Sequence, residues 1–137
     1  MCAKRLLSLL ILSCATTVVF AAIGDGSWLT HVPERERAKT NPFDNDQRAI
    51  AAGAKLFRQN CASCHGSEGV GRDRKPNLHN ERVRSASAGE LQWLLNNGSM
   101  KNGMPSWSRL PEQQRWQIVS YLKSLDGGQE ARAAAQK

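Results

Sequence analysis

The sequence contains few cysteines. Four occur among 137 residues, and two of them, Cys2 and Cys14, lie in an apolar N-terminal stretch. The other two, Cys61 and Cys64, are separated by two residues. A structural zinc site requires four cysteine or histidine ligands arranged in two pairs. A single cysteine pair does not meet this requirement, so a zinc module is disfavoured.

Two further patterns are missing. The chain carries 19 Lys and Arg against 12 Asp and Glu, yet no basic run interleaved with aromatic residues, the usual mark of nucleic-acid binding, occurs in it. We therefore expect no nucleic-acid partner. No segment has the pattern of a paired strand either, which disfavours a thioredoxin-like redox site because that site accompanies a βαβ unit. A plain structural disulfide is disfavoured with it.

The N-terminal segment has the pattern of a secretory signal peptide. Lys4 and Arg5 precede an apolar run over residues 6–20, and Val19-Phe20-Ala21 is an acceptable cleavage tripeptide. We predict a signal peptide over residues 1–21 and export to the periplasm. Cleavage would leave 17 basic and 12 acidic residues. This excess of positive charge suits docking onto an acidic partner.

Two membrane-anchored forms remain as alternatives. The segment ILSC at residues 11–14 is a loose match to a bacterial lipoprotein site, which would leave Cys14 lipidated. If nothing cleaves the segment, roughly 18 residues up to Ile23 are just long enough to span a bilayer. Membrane association is expected only in these two cases.

Three main helices are predicted after a polar leader or linker over residues 22–45. The first covers about 46–60, the second begins at Ser87 with a capping box to Glu90, and the third runs from about 111 to 125. Residues 46–126 form the predicted domain, and residues 127–137 a flexible tail. A domain of this size buries little apolar surface, and residues 66–86 are poor in hydrophobes. A cofactor is therefore expected to complete the core.

The segment Cys61-Ala62-Ser63-Cys64-His65 identifies that cofactor. C-x-x-C-H is the attachment motif of c-type haem. Two thiols at this spacing can each form a thioether to one vinyl group of the same haem, and the following histidine can bind the iron. We predict one covalent haem c held by Cys61 and Cys64, with His65 as an axial ligand.

The sequence also resembles the class I c-type cytochromes over about residues 46–125. The likeness includes CASCHG, Pro76-Asn77-Leu78, the segment NGMPSW at residues 102–107, and the closing WQIVSYLKSL. The resemblance implies a small all-α cytochrome c fold, with three main helices and loops wrapped around one haem. It further implies that the carbonyl of Pro76 accepts a hydrogen bond from the His65 ring, a contact that would tune the ligand.

Met104 is the sixth iron ligand indicated by the motif, because Gly103 frees the backbone before it and Pro105 stiffens the chain after it. Met100 and His79 remain as alternatives. Leu78, Trp107, Trp93 and Leu94 are expected in the pocket wall. Gly53 is expected to allow a close crossing of the first and last helices, with Phe57 near Tyr121.

The predicted function is that of a single-electron carrier rather than an enzyme. Redox proteins are the expected partners, either a periplasmic dehydrogenase such as a quinoprotein or a terminal oxidase, and the chain could also be a subunit of such a complex. Basic residues near the motif would steer docking: Lys55, Arg58, Arg72, Arg74, Lys75 and Lys101. The alternative is a haem-based ligand binder or peroxidase-like enzyme with an open sixth position, for which His79, Arg82 and Arg84 are the available distal residues.

Overall fold

The computed structural model of the protein describes residues 27–125. The predicted signal peptide with Cys14, and the predicted tail, lie outside these residues. The described chain is helical and contains no β-strand, only an isolated bridge between Ser99 and Met104. The predicted all-α cytochrome c fold is confirmed. No helix within residues 27–125 is both long and apolar enough to cross a membrane.

Six α-helices and two 3₁₀ turns follow one another in these residues. The turns cover Ser27–His31 and Met100–Asn102, and the helices are α1 (Glu34–Arg37), α2 (Gln47–Asn60), α3 (Ala62–His65), α4 (Glu81–Ser85), α5 (Ala88–Asn97) and α6 (Glu112–Ser124). The three predicted helices correspond to α2, α5 and α6. The short helices α1, α3 and α4 have too few residues to show a periodic apolar pattern, so the sequence did not reveal them.

Side-chain caps fix where two of the three main helices begin. The Asp46 carboxylate accepts hydrogen bonds from the backbone N–H groups of Arg48 and Ala49 at the start of α2. The predicted capping box of α5 is present, with Ser87 and Glu90 each bonding the other's backbone N–H. Because these caps satisfy N–H groups that have no partner within the helix, they fix the helix starts.

Helices α2 and α6 cross at Gly53. A methyl group at this position would overlap the backbone carbonyl oxygen of Gln117 and would lie 2.6 Å from its carbonyl carbon. One turn further along α2, the rings of Phe57 and Tyr121 are 5.2 Å apart between centroids. Both contacts agree with the sequence expectation. The α2–α6 pair thus forms the scaffold from which the Cys61–His65 segment extends.

The core lies where α2, α5 and α6 meet. Its most buried side chains are Phe57, Ile118 and Val119. Helix α5 contributes Leu91 and Leu95, one turn apart on the same face. Cys61 belongs to the same buried cluster. The first residue of the C-x-x-C-H motif is therefore anchored in the core.

Residues 27–45, named here the N-terminal extension, pack on the helices, although the sequence indicated a polar leader or linker. The buried amide of Asn41 donates to Ser120 Oγ at 2.8 Å and to the Trp116 carbonyl at 3.2 Å. Val32 is also buried. The polar composition conceals this packing, because the apolar side chains that reach the core, Trp28, Leu29 and Phe43, follow no helical period.

Candidate haem-binding site

The C-x-x-C-H motif occupies a single helical turn at the end of α2. The backbone N–H groups of Cys64 and His65 both donate to the Cys61 carbonyl, at 3.1 and 2.9 Å. Cys61 is buried, Cys64 is exposed, and both are free thiols. The turn thus places the Cys61 thiol against the core and the Cys64 thiol at the surface.

Burial raises the pKa of the Cys61 thiol to about 11, and the charge of Cys64 acts in the same direction. The thiolate is the reactive form of cysteine. In the folded chain without haem, Cys61 is therefore a protonated thiol at neutral pH.

The His65 ring is held by a backbone carbonyl, as the resemblance implied. Its Nδ1 lies 3.1 Å from the carbonyl oxygen of Pro76. Because a carbonyl can only accept, Nδ1 carries the proton and Nε2 presents a lone pair, which is the form that binds a metal. Burial lowers the pKa of His65, opposed by the Pro76 carbonyl and assisted by the charge of Lys75. The neutral, metal-binding imidazole is favoured.

Met104 lies in a tight loop that follows α5. Its N–H donates to the Ser99 carbonyl at 3.1 Å, and the Ser99 N–H donates to the Met104 carbonyl at 2.8 Å. The Met104 side chain is partly buried and packs against the core cluster that includes Cys61. Met100, in contrast, is 72% exposed. Of the two methionines, Met104 has the position expected of a thioether facing the interior.

His79 is bound on the His65 side of the molecule. Its Nε2 lies 2.7 Å from the Glu68 carbonyl oxygen, and its backbone N–H donates to Asn77 Oδ1 at 2.8 Å. Glu68 and Asn77 both belong to the loop that follows His65. These contacts engage Nε2 of His79 and hold the residue to that loop, which disfavours His79 as the second iron ligand.

The expected pocket residues separate into two groups. Leu78 and Trp107 are partly buried against the core cluster, and the Leu78 N–H donates to the Gly69 carbonyl at 2.7 Å. Leu94 is half-buried. Trp93 instead lines a polar cleft of about 350 Å³ between α1, α5 and α6. Trp93 lies outside the α5 face formed by Leu91 and Leu95, and its place in the haem pocket stays a prediction.

Four of the six basic residues named from the sequence lie on two loops beside the site. Arg72, Arg74 and Lys75 belong to the first loop and Lys101 to the second. The loops meet where Lys75 Nζ would be 3.0 Å from a methyl group placed on Gly103. An open cleft of about 420 Å³ in the first loop is lined by Arg72, Asp73, Lys75 and Pro76, among other residues.

Two large hydrophobic side chains on these loops are exposed, Val70 and the alternative iron ligand Met100. Val70 is 58% exposed and Met100 is 72% exposed, and they are the large exposed hydrophobic side chains of residues 27–125. Only their exposure distinguishes them, and the sequence pattern does not predict that exposure.

The described residues fit a c-type haem. They supply two thiols, an imidazole with an available Nε2 and a thioether, and of these groups Cys61 and Met104 pack in the same apolar cluster. They contain no group of three or more His, Cys, Asp or Glu side chains that could hold a metal ion directly. The donor set thus suits iron carried in a porphyrin better than a bare metal ion.

Comparisons with known proteins agree with this chemistry. Residues 48–122 match the family model described as cytochrome c oxidase, cbb3-type, subunit III. The chain is 31% identical over 94 residues to the Cbb3-type cytochrome c oxidase subunit CcoP of Rubrivivax gelatinosus, covering 66% of this chain but 31% of that subunit. It is also 32% identical over 91 residues to cytochrome c550 of Pseudomonas aeruginosa, covering 61% of each protein.

A solved structure shows the same similarity. The crystal structure of cytochrome CL from the marine methylotrophic bacterium Methylophaga aminisulfidivorans superimposes with a TM-score of 0.54 at 25% sequence identity. The superposition covers 62% of this chain and 58% of that chain.

Proposed function

The chain belongs to the class I c-type cytochromes, which carry covalently bound haem c, and from this premise we propose that it is a single-electron carrier. We propose that Cys61 and Cys64 form the two thioethers and that His65 and Met104 are the axial ligands of the iron. Haem c supplies one-electron exchange between ferrous and ferric iron, and a methionine ligand raises its potential.

Each of these residues has a separate task in the proposal. Cys61 and Cys64 fix the attachment at the end of α2. The Pro76 carbonyl orients His65 and keeps its proton on Nδ1. Met104 would supply the second protein ligand of the iron and thereby exclude water and small ligands. With both ligands supplied by the protein, the site would exchange electrons rather than substrates, so no enzymatic turnover is proposed.

The observation that supports this proposal most is the position of Met104. Two backbone hydrogen bonds to Ser99 restrain its loop, and its side chain packs against the same cluster as Cys61. A methionine held in this way loses little conformational freedom when it binds iron, which favours a stable six-coordinate site.

For partners, we propose a periplasmic dehydrogenase or a terminal oxidase. The similarity to an oxidase subunit supports the oxidase, and the dehydrogenase rests on the resemblance stated from the sequence. The exposed basic side chains of Arg72, Arg74 and Lys101 would steer the protein onto an acidic surface. The association rate with the partner should then fall as ionic strength rises. A rate that does not change with salt would contradict the steering role.

Carbon monoxide binding tests the function. The wild-type protein would be matured with haem, reduced, and its visible spectrum recorded before and after addition of carbon monoxide. We expect no change for the wild type, and conversion to the carbonyl form for Met104→Ala. Met100→Ala is the matched control and should behave as the wild type.

Other outcomes would favour a different assignment. If wild-type protein binds carbon monoxide readily, the sixth position is open or labile, and the protein is better described as a haem-based ligand binder. If Met100→Ala, rather than Met104→Ala, exposes the iron, electron transfer stands but the ligand assignment is wrong.

A further inference from the structure

Helix α5 connects the N-terminal extension to the loop that carries Met104. The extension reaches the first turn of the helix at Ser87 and Glu90. The loop of residues 98–107, named here the Met104 loop, is attached to its last turn. Since a ten-residue helix is about 15 Å long, a single rigid element joins these two attachments.

The attachment at the first turn centres on Arg37. Its guanidinium donates to the Glu90 carboxylate and, at 3.0 Å, to the Leu29 carbonyl. The Arg37 carbonyl in turn accepts a hydrogen bond from Ser87 Oγ at 2.9 Å. We name these three contacts the Arg37 latch. Because its contacts with α5 join residues about 50 positions apart in the sequence, they tie the extension to α5 through tertiary structure alone.

Glu90 gives the latch its strength. Its side chain is only 7% exposed, and its second oxygen accepts from the Ser87 N–H at 2.6 Å. A buried carboxylate is costly unless it is paired and hydrogen-bonded. The same side chain therefore caps α5 and requires Arg37 as its counter-ion, so a change in the extension acts directly on the start of the helix.

Hydrogen bonds secure the Met104 loop at the other end of α5. The Trp107 N–H donates to the Leu95 carbonyl at 2.8 Å, and Ser106 Oγ donates to the Asn96 carbonyl at 2.5 Å. Between these attachments and the helix end, Ser99 and Met104 exchange their two backbone hydrogen bonds. A shift or rotation of α5 would therefore move both ends of the Met104 loop.

We propose that Arg37 is a positioning residue for Met104. By pairing with Glu90, it holds α5 in one place on α6, and α5 holds the loop that presents the thioether. Packed helices move as units rather than deforming continuously. Loss of the latch should therefore appear as easier opening of the Met104 loop. This inference rests on the proposed function for its haem-based readout.

A purely structural role would have a different signature. If the extension only adds stability, loosening it anywhere should affect Met104 in proportion to the stability lost. The extension has a second attachment that allows this comparison, because the Asn41 amide donates to Ser120 and Trp116 on α6 rather than to α5.

The test compares two variants of the full chain with haem attached. The double variant Arg37→Met, Glu90→Gln removes the ion pair without leaving an unpaired buried charge, and the side-chain amide that replaces the carboxylate can still accept a hydrogen bond from the Ser87 N–H. Asn41→Ala is the matched control. The affinity of the oxidised protein for added imidazole reports on displacement of Met104. Hydrogen exchange of the Met104 amide reports on the Met104 loop without reference to the iron.

We expect the double variant to bind imidazole about tenfold more tightly than the wild type and to exchange the Met104 amide about tenfold faster. A factor of ten corresponds to about 1.4 kcal/mol. Asn41→Ala should change the imidazole affinity and the amide exchange rate less than about twofold, even if it lowers the denaturation midpoint as much as the double variant does. If the double variant folds poorly, Arg37→Lys, which keeps the charge but loses the planar fork, should give a smaller change of the same sign.

Unchanged imidazole affinity and amide exchange in the double variant would overturn the proposal. So would equal changes in Asn41→Ala, because they would indicate a general loss of stability. Failure of the proposed function would look different. Imidazole would then bind wild type and Met104→Ala equally, while Met104 amide exchange would still report whether Arg37 controls the loop.

Discussion

The His65 side and the Met104 side of the candidate site are built differently. The hydrogen bonds around His65 join residues within one segment, from Cys61 to Leu78. The Met104 loop is attached to α5, and α5 is held in turn by Arg37, 53 residues before Glu90. One side is therefore organised by neighbouring residues in the sequence, and the other depends on packing between distant segments.

This difference has a consequence for how each side fails. Two thioethers and several local hydrogen bonds would retain His65 beside the iron even when one of them is lost. The Met104 side has only one methionine side chain on a loop and no such redundancy. It should therefore open first when the protein is destabilised. Local opening of this kind commonly requires less free energy than global unfolding.

The largest effect is expected from a substitution at the crossing of α2 and α6. It should weaken the His65 and Met104 sides alike, because both depend on this scaffold. Gly53→Ala would place a methyl group onto the Gln117 carbonyl and within 3.0 Å of Tyr121 Cβ. Since both obstacles are packed atoms of α6, the helices must separate, and we expect a loss of more than about 3 kcal/mol in the free energy of unfolding. Denaturant titration measures it.

Ala51→Gly is the control for that substitution. Ala51 is exposed on the same helix, so this change costs helix propensity alone, about 1 kcal/mol. Equal stability losses in the two variants would contradict a close crossing of α2 and α6 at Gly53.

The next effect should be confined to the Met104 side. Gly98 has a φ of 72°, a conformation that favours glycine. A methyl group there would lie 2.6 Å from the Pro105 carbonyl carbon and 2.8 Å from the Met104 carbonyl oxygen. For Gly98→Ala we expect a loss of about 1–3 kcal/mol and carbon monoxide binding to the reduced protein. A destabilised variant that excludes carbon monoxide would show that the loop does not control the sixth position.

A smaller effect is expected on the His65 side. Asn77 follows Pro76, and its Oδ1 accepts from the His79 N–H at 2.8 Å. Asn77→Ala removes this bond and should cost about 0.5–1.5 kcal/mol. Because the remaining contacts keep Pro76 in place, carbon monoxide should still be excluded. Carbon monoxide binding as strong as in Gly98→Ala would remove the proposed contrast between the two sides.

The local geometry of the His65 side agrees with the sequence interpretation, for the same reason that we expect this side to be robust. C-x-x-C-H fixes spacing and chemistry within five residues, and the Pro76 carbonyl lies where the family resemblance implied. Helix α2, and α5 with its capping box, also follow from local patterns. Local interactions of this kind are encoded in neighbouring residues.

The sequence did not predict what depends on distant partners. The N-terminal extension is polar, so its attachment through Arg37, Asn41 and Val32 left no periodic signal. Trp93, which was expected in the haem pocket, lines the cleft beside the N-terminal extension because of how α5 is rotated on α6. Such features depend on how helices pack, which a helical period alone does not determine.

The smallest expected effect concerns pH and the scaffold. Burial raises the pKa of Tyr121 above its ordinary value of about 10, with the charge of Glu68 acting in the same direction and Arg58 opposing. Above about pH 10 the unfolded chain releases a proton that the folded chain retains, so stability falls as pH rises through this range. In Tyr121→Phe this decline should be weaker, while stability at about pH 7 should change little. Denaturant titrations at about pH 8 and about pH 10.5 measure the difference.

Because Tyr121 packs on Phe57 rather than on the Met104 loop, carbon monoxide should be excluded equally by both proteins at the lower pH. An identical alkaline decline in both proteins would mean that other groups titrate there and that the scaffold does not respond through Tyr121.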